Sequence, residues 1–87
     1  MIEVQRVGEN RYRVTVEEGS SRTEHTVTVQ EDYYQKLTGG SITPEELVRR
    51  SFEFLLEREP KESILSSFDL TVIQRYFSNY ERVIRNR

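Results

Sequence analysis

The segment from Thr43 to Glu59 constrains the fold of this chain more than any other part. Thr43 suits a helix N-cap, Pro44 fits the first helical position, and Glu46 stands where the second residue of a capping box belongs. Pro60 lacks an amide hydrogen and cannot continue a helix. The sequence therefore predicts a capped helix that runs to about Glu59.

The apolar surface of this predicted helix is too wide for packing against one neighbour. At 100° per residue its apolar side chains cover an arc of roughly 200°, whereas a usual stripe is little wider than ~100°. These side chains are Leu47, Val48, Phe52, Phe54, Leu55 and Leu56. We expect one neighbour to be a sheet and the other to be the C-terminal helices or a second subunit. Phe54 and Leu56 lie at opposite edges of the arc, so we predict that they form a partner interface together with Tyr33 and Tyr34.

The first thirty residues alternate apolar and polar side chains, which is typical of half-buried strands. Turn-forming residues interrupt the alternation at positions 8–10 and 18–21. The inward residues are Ile2, Val4, Tyr12, Val14, Val16, His25, Val27 and Val29. We therefore predict a three-stranded antiparallel β-meander in residues 1–30, covered on its apolar face by the rest of the chain.

Residues 31–87 are predicted to be helical. A short helix precedes Gly39, which suits a left-handed C-cap. After the long helix, Ile64, Leu65 and Phe68 share one helical face, and Asp69 is a candidate N-cap for a helix over 70–77. The fold class is therefore α+β, a single domain over residues 1–87 in which the meander is followed by three or four α-helices.

Composition narrows the function further. The chain has 87 residues, 34% hydrophobic and 32% charged, with a net charge of −2. The core must be small, and a second copy is one way to complete it. The net charge provides no general attraction to nucleic acid or to an anionic membrane. No apolar run approaches the ~18 residues of a membrane span, and no signal peptide is recognisable, so we expect a cytoplasmic protein.

Residues that commonly carry chemistry are sparse. The absence of cysteine excludes disulfides and thiolate catalysis. His25 is the only histidine and lies in phase with two valines, which favours a structural role. Gly39 and Gly40 lack the remainder of a phosphate-binding loop. We therefore predict no catalytic, cofactor-binding or metal-binding residue, and we do not expect an enzyme.

Residues 25–29, 32–37 and 43–50 follow one another as strand, short helix, glycine turn and capped helix. This order resembles the ribbon-helix-helix regulators, in which two chains pair their strands into a ribbon that enters the DNA major groove. The resemblance implies an alternative function, a DNA-binding antitoxin or transcriptional regulator. It implies that the outward ribbon residues and the residue at the DNA backbone are Thr26, Thr28, Gln30 and Thr43.

A second resemblance covers residues 52–60, 63–70 and the pair Tyr76-Phe77. These segments are similar to a family of small bacterial proteins of unassigned function. The similarity implies a stand-alone bacterial chain and implies no activity. Together with the wide apolar arc, it leads us to predict a small non-catalytic interaction or regulatory protein. Its partner would be another protein or a second copy in a homodimer. Nucleic acid would be a partner only if the alternative hypothesis, a DNA-binding regulator, holds.

Overall fold

A computed structural model describes residues 1–86 and shows an α+β fold. The strands are β1 (Ile2–Gly8), β2 (Arg11–Glu18), β3 (Ser21–Thr28) and β4 (Ser67–Asp69). The helices are α1 (Glu31–Thr38), α2 (Pro44–Leu56), α3 (Val72–Tyr76) and α4 (Tyr80–Arg85). A single 3₁₀ turn, Lys61–Ser63, lies between α2 and β4. None of the helices in residues 1–86 is long and apolar enough to span a bilayer.

The predicted meander of β1, β2 and β3 is confirmed, but the sheet has a fourth strand. The order is β1-β2-β3-β4, and β4 runs parallel to β3. The amide of Thr26 donates to the carbonyl of Ser66 at 2.8 Å, and the amide of Leu70 donates to that of Thr28 at 2.9 Å. The prediction of a three-stranded sheet was therefore wrong, because the open edge of β3 recruits residues 67–69 into the sheet.

The end of α1 and the start of α2 follow local capping chemistry. Gly39 has a φ of 61°, and its amide donates to the Gln35 carbonyl at 2.8 Å, so the predicted left-handed C-cap is present. The Thr43 hydroxyl accepts from the Glu46 amide at 3.1 Å, and Pro44 opens α2. The helix ends at Leu56, three residues before the predicted end at Glu59, and residues 57–59 form a turn.

The carboxylate of Glu46 pairs with two arginines one helical turn away. It accepts hydrogen bonds from Arg49 and, at 2.8 Å, from Arg50. Arg49 is shared, because it also reaches Glu53 at 2.7 Å. The hydrogen bonds from Arg49 and Arg50 lower the pKa of Glu46 from 4.5 to about 2. Glu46 is therefore ionised in the folded protein at any pH well above 2.

The ion pairs of Glu46 with Arg49 and Arg50 predict a pH-dependent contribution to the free energy of unfolding. Because the pKa of Glu46 is lower in the folded chain, its contribution is present above about 4.5 and is lost as the pH falls towards 2. We expect Glu46→Gln to lower the free energy of unfolding by about 0.5–1 kcal/mol at pH 7, as for other partly exposed pairs. Glu45→Gln, which also removes a carboxylate from the first turn, controls for the helix dipole. Urea unfolding at pH 7 and at pH 2.5 measures the free energy of unfolding of the wild type and of both variants. If Glu46→Gln differed from the wild type by the same amount at the two pH values, the lowered pKa of Glu46 would be contradicted.

The core lies between one face of the sheet and the helices. Tyr12, Val14 and Val16 of β2 are buried on this face, and α2 covers them with Leu47, Val48 and Phe52. The opposite face of the sheet carries polar and charged side chains, among them Arg13 and Glu24. The layer of helices therefore lies on one side of the sheet, as the alternation in the sequence predicts.

One polar pair is buried between α2 and α4. The Ser51 hydroxyl lies 2.8 Å from the Leu47 carbonyl and 2.7 Å from the Tyr80 hydroxyl, and both side chains are fully buried. Since the carbonyl can only accept, Ser51 donates to Leu47 and Tyr80 donates to Ser51. Burial raises the pKa of Tyr80, so the phenol stays protonated as this donor. The chain of hydrogen bonds fixes α4 against α2.

Candidate functional site

An apolar cleft of about 360 Å³ opens between the end of α2, the segment 59–68 and α3. We call it the α2–α3 cleft. Its lining side chains are Leu55, Glu59, Ser63, Ile64, Leu65, Phe68, Val72, Ile73, Tyr76 and Phe77. The volume falls in the range of ~300–1,000 Å³ that is typical of ligand sites. The lining is largely hydrophobic, so the cleft is suited to bind apolar groups.

The rim of the cleft carries two of the large apolar side chains that residues 1–86 leave exposed. Leu65 is 48% exposed and Tyr76 is 70% exposed. The other two, Met1 and Val7, do not line it. An exposed aromatic side chain beside an apolar depression is a common feature of binding sites, because an incoming partner removes both from water.

His25 holds the Leu65 wall of the cleft in place. Its ring is 3% exposed and packs against Phe52 with 5.3 Å between ring centroids. Nδ1 lies 2.8 Å from the Leu65 carbonyl, and Nε2 lies 2.9 Å from the Thr23 hydroxyl. The carbonyl can only accept, so Nδ1 carries the proton and donates to it. His25 therefore joins β3 to the loop that precedes β4 and has a structural role.

The opposite wall is α3, and a polar turn fixes its start. The Asp69 carboxylate accepts from the amide and the hydroxyl of Thr71, at 3.0 Å and 2.8 Å. Burial alone would raise the pKa of Asp69, but the hydrogen bonds from Thr71 and Gln30 and the charge of Arg75 together lower it. The prediction of Asp69 as the N-cap residue was wrong, since α3 begins two residues later than predicted, at Val72, and its N-cap residue is Thr71. Ile73 points into the core, and Tyr76 is left on the solvent side.

Among the residues that the structure describes, 1–86, Glu59 is the only charged one that lines the cleft. Within residues 1–86 its carboxylate forms no ion pair. The nearby ammonium of Lys61 lies 2.8 Å from Glu62 and 3.6 Å from Glu18. The hydrogen bond with Glu62 raises the pKa of Lys61. The cleft therefore combines an apolar floor with one carboxylate that is open to a cationic group.

Among residues 1–86, the lining of the cleft holds no histidine, and its polar side chains are those of Glu59, Ser63 and Tyr76. Within residues 1–86, no three side chains of the His, Asp and Glu type lie close enough together to hold a metal ion. What the lining offers is contact area for apolar side chains and one carboxylate for a cation.

Two of the four residues that the sequence predicts at a partner interface are buried in contacts within the chain. Phe54 is fully buried, edge-on to Phe77 at 5.9 Å and to Tyr80 at 5.3 Å between ring centroids. Tyr33 is buried and donates to Glu81 at 2.8 Å, and burial raises the pKa of its phenol.

Tyr34 and Leu56, the other two predicted interface residues, are half-buried. The hydroxyl of Tyr34 donates to the carbonyl of Ile42. Leu56 lies at the surface, in a shallow groove beside Ile2. Of the four predicted interface residues, Leu56 therefore remains the best placed to meet a partner, because Phe54 and Tyr33 contact other parts of the same chain.

Two of the four predicted DNA contacts lie on the polar face of the sheet. Thr26 and Thr28 point outward from β3, opposite Arg13 and Arg11 of β2. Gln30 is exposed and donates to Asp69 at 3.2 Å. Thr43 lies at the N-terminus of α2. β3 is hydrogen-bonded to β2 on one edge and to β4 on the other.

Sequence reasoning missed Leu65 and Tyr76 as surface residues of a site. A signal was present in residues 72–77, where Val72, Ile73, Tyr76 and Phe77 spread over about 140° on a helical wheel. This spread is wider than a stripe of ~100°, so one edge of the helix is expected to stay exposed.

No protein-family model, curated protein or solved structure matches this chain.

Proposed function

We propose that this chain is a small non-catalytic interaction or regulatory protein that binds an apolar segment of a partner protein in the α2–α3 cleft. The observation that carries the proposal is the cleft itself, with Leu65 and Tyr76 exposed on its rim. Burying such side chains with a partner's apolar residues is favourable in proportion to the area removed from water. The bacterial and cytoplasmic assignments stay predictions from the sequence.

The chemistry of the cleft indicates the kind of segment it takes. Apolar and aromatic side chains fit the floor formed by Ile64, Phe68 and Ile73. Glu59 favours a lysine or arginine that flanks them, because an opposite charge close by gives a charge-assisted hydrogen bond. A short amphipathic helix provides both, with apolar residues on one face and a basic residue at its edge.

Selection from a peptide display library tests this proposal, with the purified chain as bait. We expect selected peptides to carry apolar residues at helical spacing and at least one basic residue. Tyr76→Ala should weaken their binding about tenfold or more, as expected for an aromatic hot spot. Val7→Ser removes an exposed apolar side chain outside the cleft and should leave affinity unchanged.

A charge-reversal variant tests the expected preference of the cleft for peptides with basic residues. Repeating the selection with Glu59→Lys should replace basic residues by acidic ones in the bound peptides, since the charge at the cleft is reversed. Peptides that bind Tyr76→Ala and wild-type protein equally would overturn the proposal. So would a cleft that takes a small aromatic molecule such as indole and selects no peptide.

The DNA-binding alternative stays a prediction. A ribbon of the expected kind requires β3 to pair with β3 of a second chain. In the structure both edges of β3 already hold neighbouring strands. The outward face around Thr26 and Thr28 also mixes Arg11 and Arg13 with Glu24 and Asp69, so it lacks a uniformly basic surface.

A further inference from the structure

The free edge of β1 has a defined set of outward peptide groups. β1 is an edge strand, and within residues 1–86 it pairs only with β2. The Glu17 amide donates to the Met1 carbonyl at 2.8 Å, and the Met1 ammonium donates to the Glu17 carbonyl at 2.6 Å. In an antiparallel pair such exchanges recur at every second residue. The peptide groups of Ile2, Val4 and Arg6 therefore point away from β2.

A shallow groove, lined by two apolar and two acidic residues, lies beside this edge. It is lined by Ile2, Glu53, Leu56 and Glu57, where α2 packs next to β1. Ile2 and Leu56 are only half-buried. Glu53 has 42% of its side chain exposed and shares Arg49 with Glu46. An unpaired strand edge is a template for a further strand, and the half-buried side chains of Ile2 and Leu56 beside it offer apolar contact to that strand.

We propose that a second copy of this chain occupies the edge, with the two β1 strands antiparallel about a two-fold axis at Val4. In this register Val4 faces Val4 of the second copy, and Ile2 faces Arg6 of the second copy. Ile2, Val4 and Arg6 are alternate residues of β1, and their peptide groups all point away from β2. In this register each of these groups therefore faces one of the same set on the second copy. The result is a continuous sheet through both subunits and an interface that uses the same patch twice.

Charge selects this register and this occupant. Arg6 is exposed and lies on the same side of β1 as Ile2 and Val4. Facing Ile2 of the other copy, its guanidinium lies next to Glu53 and Glu57 of that copy. The groove thus meets an opposite charge that the chain itself provides.

Neighbouring registers are less favourable. Moving the two-fold axis from Val4 to Glu3 places Glu3 directly opposite Glu3 of the second copy. Like charges opposite each other destabilise a strand pair. A shift in the other direction sets Val4 opposite Arg6 and brings the irregularity between Arg6 and Gly8 into the ladder. Pairing about Val4 avoids both. The inference is independent of the proposed function, since the groove and the α2–α3 cleft share no residue.

The solution mass tests the interface. Sedimentation equilibrium over a range of concentrations should give a reversible dimer for the wild type. Arg6→Glu should raise the dissociation constant about tenfold or more, because it replaces attraction by repulsion at two symmetric positions. Arg13→Glu makes the same charge change on the outward face of β2 and should leave the constant within about twofold. A wild-type monomer at all concentrations, or equal effects of the two variants, would overturn the proposal.

Disulfide trapping tests the register, since the chain has no cysteine of its own. Glu3 and Gln5 of the second copy face each other in a non-hydrogen-bonded pair, where Cα atoms are about 4.5 Å apart. This separation suits a disulfide. A mixture of Glu3→Cys and Gln5→Cys should therefore cross-link faster as the mixed dimer than either variant with itself. Faster self-cross-linking of Glu3→Cys, or no cross-link in any mixture, would reject the register.

Discussion

Replacing Phe54 with alanine is expected to lower the free energy of unfolding by about 3–5 kcal/mol, the usual cost of removing a buried phenylalanine. The ring is fully buried, and it contacts Phe77 and Tyr80 edge-on while the Arg58 guanidinium carbon lies 3.6 Å from its centroid. Deleting it leaves a cavity where α2 meets α3 and α4. A domain of this size has a total stability of only ~4–13 kcal/mol, so the variant should lose a large fraction of its free energy of unfolding. Urea unfolding monitored by circular dichroism measures the loss.

Leu56→Ala is the matched control, because Leu56 is on the same helix and only half-buried. It should cost less than about 1.5 kcal/mol, since much of its apolar area is already in water. The comparison also separates the two roles that the sequence allows for Phe54. The effect of a residue in a partner interface would change with protein concentration, because association stabilises the folded chain by mass action, whereas the effect of a core residue is the same at every concentration. A small, concentration-dependent effect of Phe54→Ala would show that the ring belongs to an interface.

The parts of the fold that were predictable from sequence are those decided by neighbours in the chain. The alternation around Val14 and Val27 has period two whatever the rest of the chain does, so β1 to β3 follow from it. Thr43, Pro44 and Gly39 act within one helical turn, so the start of α2 and the end of α1 follow as well. Local chemistry was sufficient for these elements.

Strand β4 was not predictable in this way, because non-local pairing decides it. Ile64 and Phe68 are four positions apart, which suits one face of a helix and also one side of an extended segment. Three residues are too few to show a period. What makes 67–69 a strand is the open edge of β3, to which its neighbours Ser66 and Leu70 are hydrogen-bonded. That edge is invisible until the sheet has been assembled.

The candidate site shows the same division. The wide apolar arc of α2 correctly predicted contact with two neighbours, and left open whether the second was the C-terminal helices or another subunit. The structure shows that α4 supplies it, with Tyr80 packed against Phe54. Which side of α3 stays exposed depends on how this helix docks, so Tyr76 could not be assigned to a surface from its position in the sequence alone.

His25→Ala should cost about 2–4 kcal/mol, because it removes a buried ring and two hydrogen bonds and leaves a carbonyl without its donor. The Leu65 carbonyl loses the Nδ1 donor at 2.8 Å, and the contact with Phe52 is lost. Thr23→Val controls for the weaker partner, since it breaks only the hydrogen bond to Nε2 and should cost about 1 kcal/mol.

A second readout separates a general loss of stability from release of the cleft wall. The amide of Thr26 donates to Ser66, directly after the anchored Leu65. If His25 holds this loop on β3, hydrogen exchange at Thr26 should accelerate in His25→Ala by more than at Val14, in the centre of the sheet. Peptide affinity at the α2–α3 cleft should then fall as well, because Leu65 forms part of its rim. Equal acceleration at both amides would mean that His25 stabilises the domain as a whole and does not position the cleft.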